Sequence, residues 1–205
     1  MFSLKGGSII IEKQKIVSEF QDKREKIINL LYEKQLSGIY LTKNKNFTWL
    51  FAGADHHINI ATDKAASRVY IDKDNVIIES NNIETPRLKD EEIIFNDLID
   101  YKNHYWFEKV EDKSGNIAID RNDNSFVCVS EELKKLRMQL TENELKRYEI
   151  LGDLTGNIIE SVAKKITPGI SELEIAGKIA QMLDGNITLY SEVGEGSTFI
   201  FTHPL

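Results

Sequence analysis

The sequence has a single cysteine, Cys128, among its 205 residues, which excludes an internal disulfide and a zinc site made of several thiolates within one chain. It has no excess of positive charge: 26 Lys and Arg stand against 33 Asp and Glu, for a formal net charge of -7. A nucleic-acid or anionic-membrane surface needs a basic patch. The lysines instead sit beside glutamates and aspartates throughout, so neither nucleic acid nor membrane is expected as a partner. No apolar run is long enough to cross a bilayer. The N-terminus "MFSLKGGSIIIEKQK" has only a short apolar run and no cleavage-site pattern, so no signal peptide is read. Internal repeats and low-complexity linkers are also missing. These absences fit a cytoplasmic protein in a reducing compartment. Cys128 lies in the alternating stretch "SFVCVSEE", which reads as a strand carrying a buried structural thiol.

What remains is a globular composition, 41% hydrophobic and 29% charged. "IEKQKIVSEFQDKREKIINLLYEKQL" places Ile16, Phe20, Ile27, Leu30 and Leu31 at helical spacing among charges, the pattern of an amphipathic helix. Gly38 is the expected terminator. "GIYLT" then reads as a strand, "KNKN" as a polar turn, and "FTWLFAG" as an apolar, aromatic stretch stopped by Gly53. "SRVYIDKDNVIIES" reads as two strands joined at Asp74-Asn75. "NIETPRLKDEEIIFNDLIDY" is expected to be largely helical, with Pro86 near the start. "GNIAID" and "SFVCV" are further extended pieces, and Ser130 is the expected cap of "SEELKKLRMQL". Alternating helix and strand indicates an α/β layer structure.

From Thr141 the pattern changes. "TENELKRYEILGDLTGNIIESVAKKI" is one long amphipathic helix, opened by a Thr141–Glu144 capping box and broken at Thr167, Pro168 and Gly169. Ser171 caps a second helix, with Glu172 and Glu174 in the first turn, where the helix dipole favours acids. From Asp184 the residues Ile187, Leu189, Phe199 and Phe201 alternate around "EVGEG", which reads as a β-hairpin.

Several stretches occur in an order seen elsewhere: "REKIINLLYEKQLSGIYLTKNKNFTWLFAG", then "RVYIDKDNVIIES", then "LRMQLTENELKRYEILGDLTGNIIESVAKKITPGISELEIAGKIAQML". Together, residues 24 to 183 resemble the creatinase, prolidase and aminopeptidase P group, the pita-bread metallopeptidases. The resemblance implies a creatinase-like N-terminal domain over residues 1–136, with a mixed sheet flanked by helices. It implies the helical start of a catalytic domain over 137–183. In that family two divalent metal ions are held by two Asp, one His and two Glu, all on a catalytic sheet beyond the helix that here carries Pro168, Gly169 and Glu172. This chain leaves the family pattern at Leu183. Residues 184–205, "DGNITLYSEVGEGSTFIFTHPL", resemble instead the closing strands of sensor histidine kinases, so the chain reads as two truncated families joined at residues 183–185.

Candidate site residues are few. "GADHHIN" brings together Asp55, His56 and His57. Imidazole and carboxylate are metal ligands, but adjacent histidines on a strand point to opposite faces, and no third ligand is spaced nearby. The resemblance implies another role: in family dimers this loop reaches the partner subunit's active-site mouth, which makes Asp55, His56 and His57 substrate-contacting. A plain solvated loop is the remaining alternative. Beyond the stretch of Pro168, Gly169 and Glu172 only Glu174, Asp184, Glu192, Glu195 and His203 remain as possible metal ligands, so no cofactor and no catalytic residues are expected within the chain. Three functions stay open. One is a Xaa-Pro peptidase-like protein without the catalytic sheet, acting as a homo-oligomer or with a full-length family member. Another is a non-enzymatic interaction module. The last is a fragment of a signalling kinase fusion.

Overall fold

The structure, a computed structural model, describes residues 13–56, 61–183, 186–192 and 196–202, the last two stretches by their backbone alone. The chain divides into two compact units, residues 12–141 and residues 142–205 together with 1–11.

The first unit opens with α1 (Lys13–Glu33). Its buried stripe is the one the periodicity predicts: Ile16, Phe20, Ile27, Leu30 and Leu31. Gly38 does not end it. Gln35 takes the left-handed conformation, with φ of 54°, and the Leu36 N–H reaches back to the Leu31 carbonyl at 2.9 Å, which closes the helix in a Schellman-type turn. Gly38 is needed one step later. A Cβ there would lie 2.5 Å from the Tyr70 hydroxyl oxygen, so only glycine lets that ring cross the start of β1 (Gly38–Lys43).

The sheet also contains β2 (Lys64–Ile71), β3 (Val76–Asn81), β4 (Asp100–His104), β5 (Ile117–Ile119) and β6 (Val127–Cys128), in the order β4-β3-β2-β1-β5-β6. The pairs β1–β2 and β2–β3 are antiparallel, while β3–β4, β1–β5 and β5–β6 are parallel. Register sorts the side chains by face, because paired residues share a face and neighbours along a strand alternate. Ile39, Leu41, Val69, Ile71, Ile78 and Ala118 lie on one face, each at most 1% exposed. The helical layer covers this face: α2 (Asn44–Leu50) packs on β1 and β2, and α1 packs on α2 and on α4 (Ser130–Arg137). Tyr40, Tyr70, Ile117 and Ile119 lie on the other face and form a smaller cluster with Ile77 and Phe126. Arg68 closes that cluster. Its guanidinium lies 4.3 Å from the Tyr40 ring centre and bonds Glu79 and Asp112.

Several expectations need correcting. "KNKN" is not a turn, since Asn44, Lys45 and Asn46 open α2. Lys43 offers no side-chain cap; the Asn44 N–H donates to the Asp63 carbonyl at 2.9 Å, and the Asn46 side-chain amide donates to Asp120, far along the chain. The β2–β3 turn spans Asp72 to Asn75 rather than centring on Asp74-Asn75: the Asp72 carboxylate accepts the N–H groups of Asp74 and Asn75 at 2.9 and 2.7 Å, which makes it an Asx-turn. The stretch from Asn82 to Tyr101 is not one helix. It is a single α-turn, α3 (Glu84–Arg87), then a π-turn over Leu88–Glu92 and a 3-10 turn over Asn96–Leu98, before β4. Asn96 breaks the helix by donating its amide to the carbonyls of Lys89 and Ile93. Ser130 does not cap α4. Val129 is the N-cap residue, and the Ser130 hydroxyl donates to the Asp120 carbonyl at 2.6 Å. Cys128 is exposed on the edge strand β6, not buried.

In the second unit, α5 (Glu142–Ala163) and α6 (Glu172–Met182) pack on each other. Between them Gly169 has φ of 98°. Ser171 caps α6 as the sequence predicts: its hydroxyl accepts the Glu174 N–H at 3.2 Å, and the Glu174 carboxylate accepts the Ser171 N–H at 2.8 Å. The terminal pair β7 (Asn186–Glu192) and β8 (Gly196–Thr202) is antiparallel, with Leu189 opposite Phe199.

Candidate functional site

The candidate loop begins where α2 ends. Ala52 and Gly53 both take positive φ, 56° and 111°, so the backbone reverses sharply after "WLF". Phe47 and Phe51 of this segment are buried and 4.6 Å apart between ring centres. The loop therefore leaves from a packed aromatic floor.

Asp55 and His56 follow, and the structure gives them different surroundings. His56 is 0% exposed. Its ring lies 4.4 Å from the Phe47 ring centre, and its Nε2 accepts the Ser67 N–H of β2 at 2.7 Å. An imidazole nitrogen that accepts carries no proton, so the proton sits on Nδ1 and the ring is neutral in this arrangement. The neighbouring Ser67 and Ser80 hydroxyls bond each other at 2.6 Å. His56 is thus a buried anchor of the loop onto the sheet.

Asp55 is exposed, and its backbone is held from the other side. Its N–H donates to the Glu92 carboxylate at 2.7 Å, and its carbonyl accepts from Arg87 at 3.4 Å. Arg87 in turn donates to Glu92 at 2.9 Å and to Glu84 at 3.1 Å. This Arg87–Glu92 clamp was invisible in the sequence. Its residues lie 32 to 37 positions from Asp55, and nothing in "ETPRLKDEE" marks two of them as partners of a distant loop. His57 lies outside the described residues.

A second polar centre fixes the other end of α2. Asp120, at the end of β5, is 0% exposed. Its carboxylate accepts four bonds: from the N–H groups of Thr42 and Lys43 at 2.9 Å each, from the Thr42 hydroxyl at 2.6 Å and from the Asn46 amide at 2.7 Å. Asn46 also accepts from Arg137 of α4. Burial pulls the Arg137 guanidinium below its usual value, against the opposing pull of the Asp120 charge. A buried carboxylate is costly unless fully hydrogen-bonded, and here its donors come from β1 and α2. Asp120 therefore belongs to the architecture that holds α2 and the loop after it.

The two-metal centre that the family resemblance implies does not fit the described residues. The Glu174 carboxylate is committed to the α6 cap, where its hydrogen bonds from Ser171 hold it below the usual carboxylate range. His56 spends its Nε2 on Ser67. Among the described residues no three His, Cys, Asp or Glu are grouped to hold a metal ion. Asp184, Glu195 and His203 lie outside the described residues, and Glu192 is described by its backbone alone. No helix among the described residues is long and apolar enough to cross a membrane.

No protein-family model and no curated protein matches the chain. Solved structures do. The prolidase from Pyrococcus horikoshii OT3 superposes with a TM-score of 0.59 at 16% identity, over 82% of this chain and 52% of its own. The Xaa-Pro dipeptidase from Bacillus anthracis gives 0.57 at 15% identity, over 90% and 58%. A dipeptidase from Mycobacterium ulcerans gives 0.57 at 13% identity, over 90% and 57%. The chain thus has the mixed α/β, creatinase-like fold of these structures and spans a little over half of their length. The kinase-like reading of residues 184–205 gains no support from them.

Proposed function

We propose that this chain is a Xaa-Pro peptidase-like protein built on the creatinase-like domain, and that these 205 residues do not hydrolyse Xaa-Pro peptides by themselves. It acts by association, with a second copy or with a full-length relative. In that assembly the loop of Asp55, His56 and His57 meets substrate, with His56 as the loop's buried anchor. The observation that carries this reading is the pairing of a peptidase-like fold with a loop held on both sides, by Ser67 through His56 and by the Arg87–Glu92 clamp through Asp55. Substrate-gating loops need such support, because small displacements of a contacting group cost catalysis heavily. A cytoplasmic location is part of the same proposal.

The test is release of the N-terminal residue from a Xaa-Pro peptide by purified chain, with manganese, cobalt or zinc titrated in. The chemistry of two-metal hydrolysis needs a metal-bound hydroxide and a polarised carbonyl, so turnover is expected to stay at the metal-only blank. Turnover abolished by His203→Ala or Asp184→Ala would overturn the proposal. Mixing the chain with a full-length Xaa-Pro dipeptidase is expected to change KM, and an Asp55→Ala chain is expected to lose that effect.

A further inference from the structure

We infer that the buried pair Glu19–Lys23 is a positioning device for the loop of Asp55 and His56, acting through the reversal at Ala52. Both residues lie on α1, and their side chains are at most 1% exposed. The Lys23 Nζ donates to the Glu19 carboxylate at 2.6 Å and to the Trp49 carbonyl at 2.7 Å, and it stands 5.5 Å from the centre of the Trp49 ring. Trp49 is the last residue but one of α2, where the helix dipole puts partial negative charge. An ammonium held there ties α1 to the end of the short helix from which the loop departs.

A buried ion pair is a poor way to gain stability. Desolvating both charges offsets their attraction, and an apolar pair of similar volume is often as good or better. What this pair supplies is a fixed direction. The Trp49 carbonyl also accepts the Ala52 N–H at 3.3 Å, so the ammonium and the reversal share one acceptor. Ala52 has φ of 56°. A residue with a Cβ avoids this left-handed region unless its surroundings over-determine it. Gly53 follows with φ of 111°, which glycine takes without a steric penalty, so the strained residue of the reversal is Ala52. The Gly53 N–H then donates to the Thr48 carbonyl at 2.9 Å. Asp55 and His56 come three and four residues after Ala52. The direction in which the chain leaves Ala52 therefore decides whether the Asp55 N–H reaches Glu92 and whether the His56 Nε2 reaches the Ser67 N–H. Glu19 and Lys23 are positioning residues, acting on the loop through Trp49 and Ala52. The inference rests on the proposed function only in taking this loop as the working part of the chain.

Amide hydrogen exchange of the full chain, resolved by residue, tests this. Glu19→Gln combined with Lys23→Met keeps the volume and leaves no buried charge unpaired. The double variant is expected to keep the denaturation midpoint of wild type and the protection of β1, which lies inside the sheet. Its Ser67 and Asp55 amides are expected to exchange roughly tenfold faster or more, as a local opening would make them. Adding Ala52→Gly to the double variant is expected to restore part of that protection, since glycine takes the left-handed conformation unaided. A pair that served only core packing would not respond to a change at Ala52. Unchanged exchange at Ser67 and Asp55 would overturn the inference. So would a loss of protection shared equally by β1, or a double variant that Ala52→Gly does not rescue. None of these readings involves Xaa-Pro hydrolysis or a second protein, so the inference and the proposed function fail separately.

Discussion

Residues 12–141 have a deep apolar core, although Tyr105, Trp106 and Phe107 are 57%, 70% and 67% exposed. Phe20, Ile27, Ile39, Leu41, Phe47, Leu50, Val69, Ile71 and Ile78 are all at most 1% exposed. In α5 and α6 the proportions reverse: Leu145, Tyr148, Ile150, Leu151, Ile159, Leu173 and Met182 are between 42% and 60% exposed, against buried Ile158, Val162 and Ala180. Both regions are amphipathic in sequence. The stripe of α1 faces a helix-and-sheet core that covers it, while α5 has more apolar surface than α6 hides. Periodicity tells which side of a helix is apolar. It does not tell whether anything covers that side.

The sharpest way to break this comparison is to cut into each region equally. Phe20→Ala is expected to cost about 3–5 kcal/mol, as large-to-small changes in a tight core do. Asp120→Ala should cost a similar amount, roughly 3–5 kcal/mol, because four donors lose their acceptor in a buried site. Ile159→Ala, at a half-exposed position, is expected to stay within about 0.5 kcal/mol. Chemical denaturation of the three variants checks this, and equal losses would mean that the two regions share one cooperative core.

Dissecting the chain gives a finer test. Residues 12–141 alone are expected to unfold in one cooperative transition, while 142–205 alone should show none. The sequence places the end of the first domain at 136, whereas the compact unit runs to 141. A fragment ending at 136 lacks Arg137 and its bond to Asn46. It should be less stable than one ending at 141 by about 1.5–3 kcal/mol, the range for a hydrogen bond to a charged group. Equal midpoints in urea would favour the earlier boundary.

The smallest expected effect lies in the second region. Ser171→Ala removes the α6 cap and should cost about 1 kcal/mol, read as lost helical circular dichroism. The cap also sets a pH dependence. Hydrogen bonds from the Ser171 backbone and side chain lower the folded value of Glu174, so its stabilisation is full above the ordinary glutamate value and is lost as pH falls through the lowered one. Wild-type α6 should lose helicity on acidification below about pH 4.5, and Glu174→Gln should flatten that response.

Much of the fold was legible because its signals are local. The stripe of α1, the β2–β3 hairpin and the Ser171 cap each need only neighbouring residues to form. The misses share a different cause. β4 is an edge strand whose residues, "DYKNH", are mostly exposed, so no alternation betrays it. Ser130 looks like a cap but is drawn to the Asp120 carbonyl ten residues back. α2 hides in a polar stretch because its N-terminal support is a carboxylate more than seventy residues away. At the candidate loop, the chemistry of Asp55 and His56 stood out by residue type. That His56 is a buried acceptor for a backbone N–H could not be read, since Ser67 has no feature that announces its amide.

The placement of β1 in mid-sheet has a consequence in time. Thr42 and Asp120 are separated by 78 positions, so β1 leaves the ribosome roughly 4–16 s before its central acceptor is made, at ordinary rates of translation. Until then whatever part of the β4-β3-β2-β1 ribbon has been made has an open edge on the β1 side, and open edges invite pairing with other chains. The arrival of β5 and Asp120 closes that edge and supplies the N-terminal support of α2 in the same event. The nascent chain is therefore most vulnerable to misassembly before residue 120 emerges, and its commitment to the native sheet is late and abrupt.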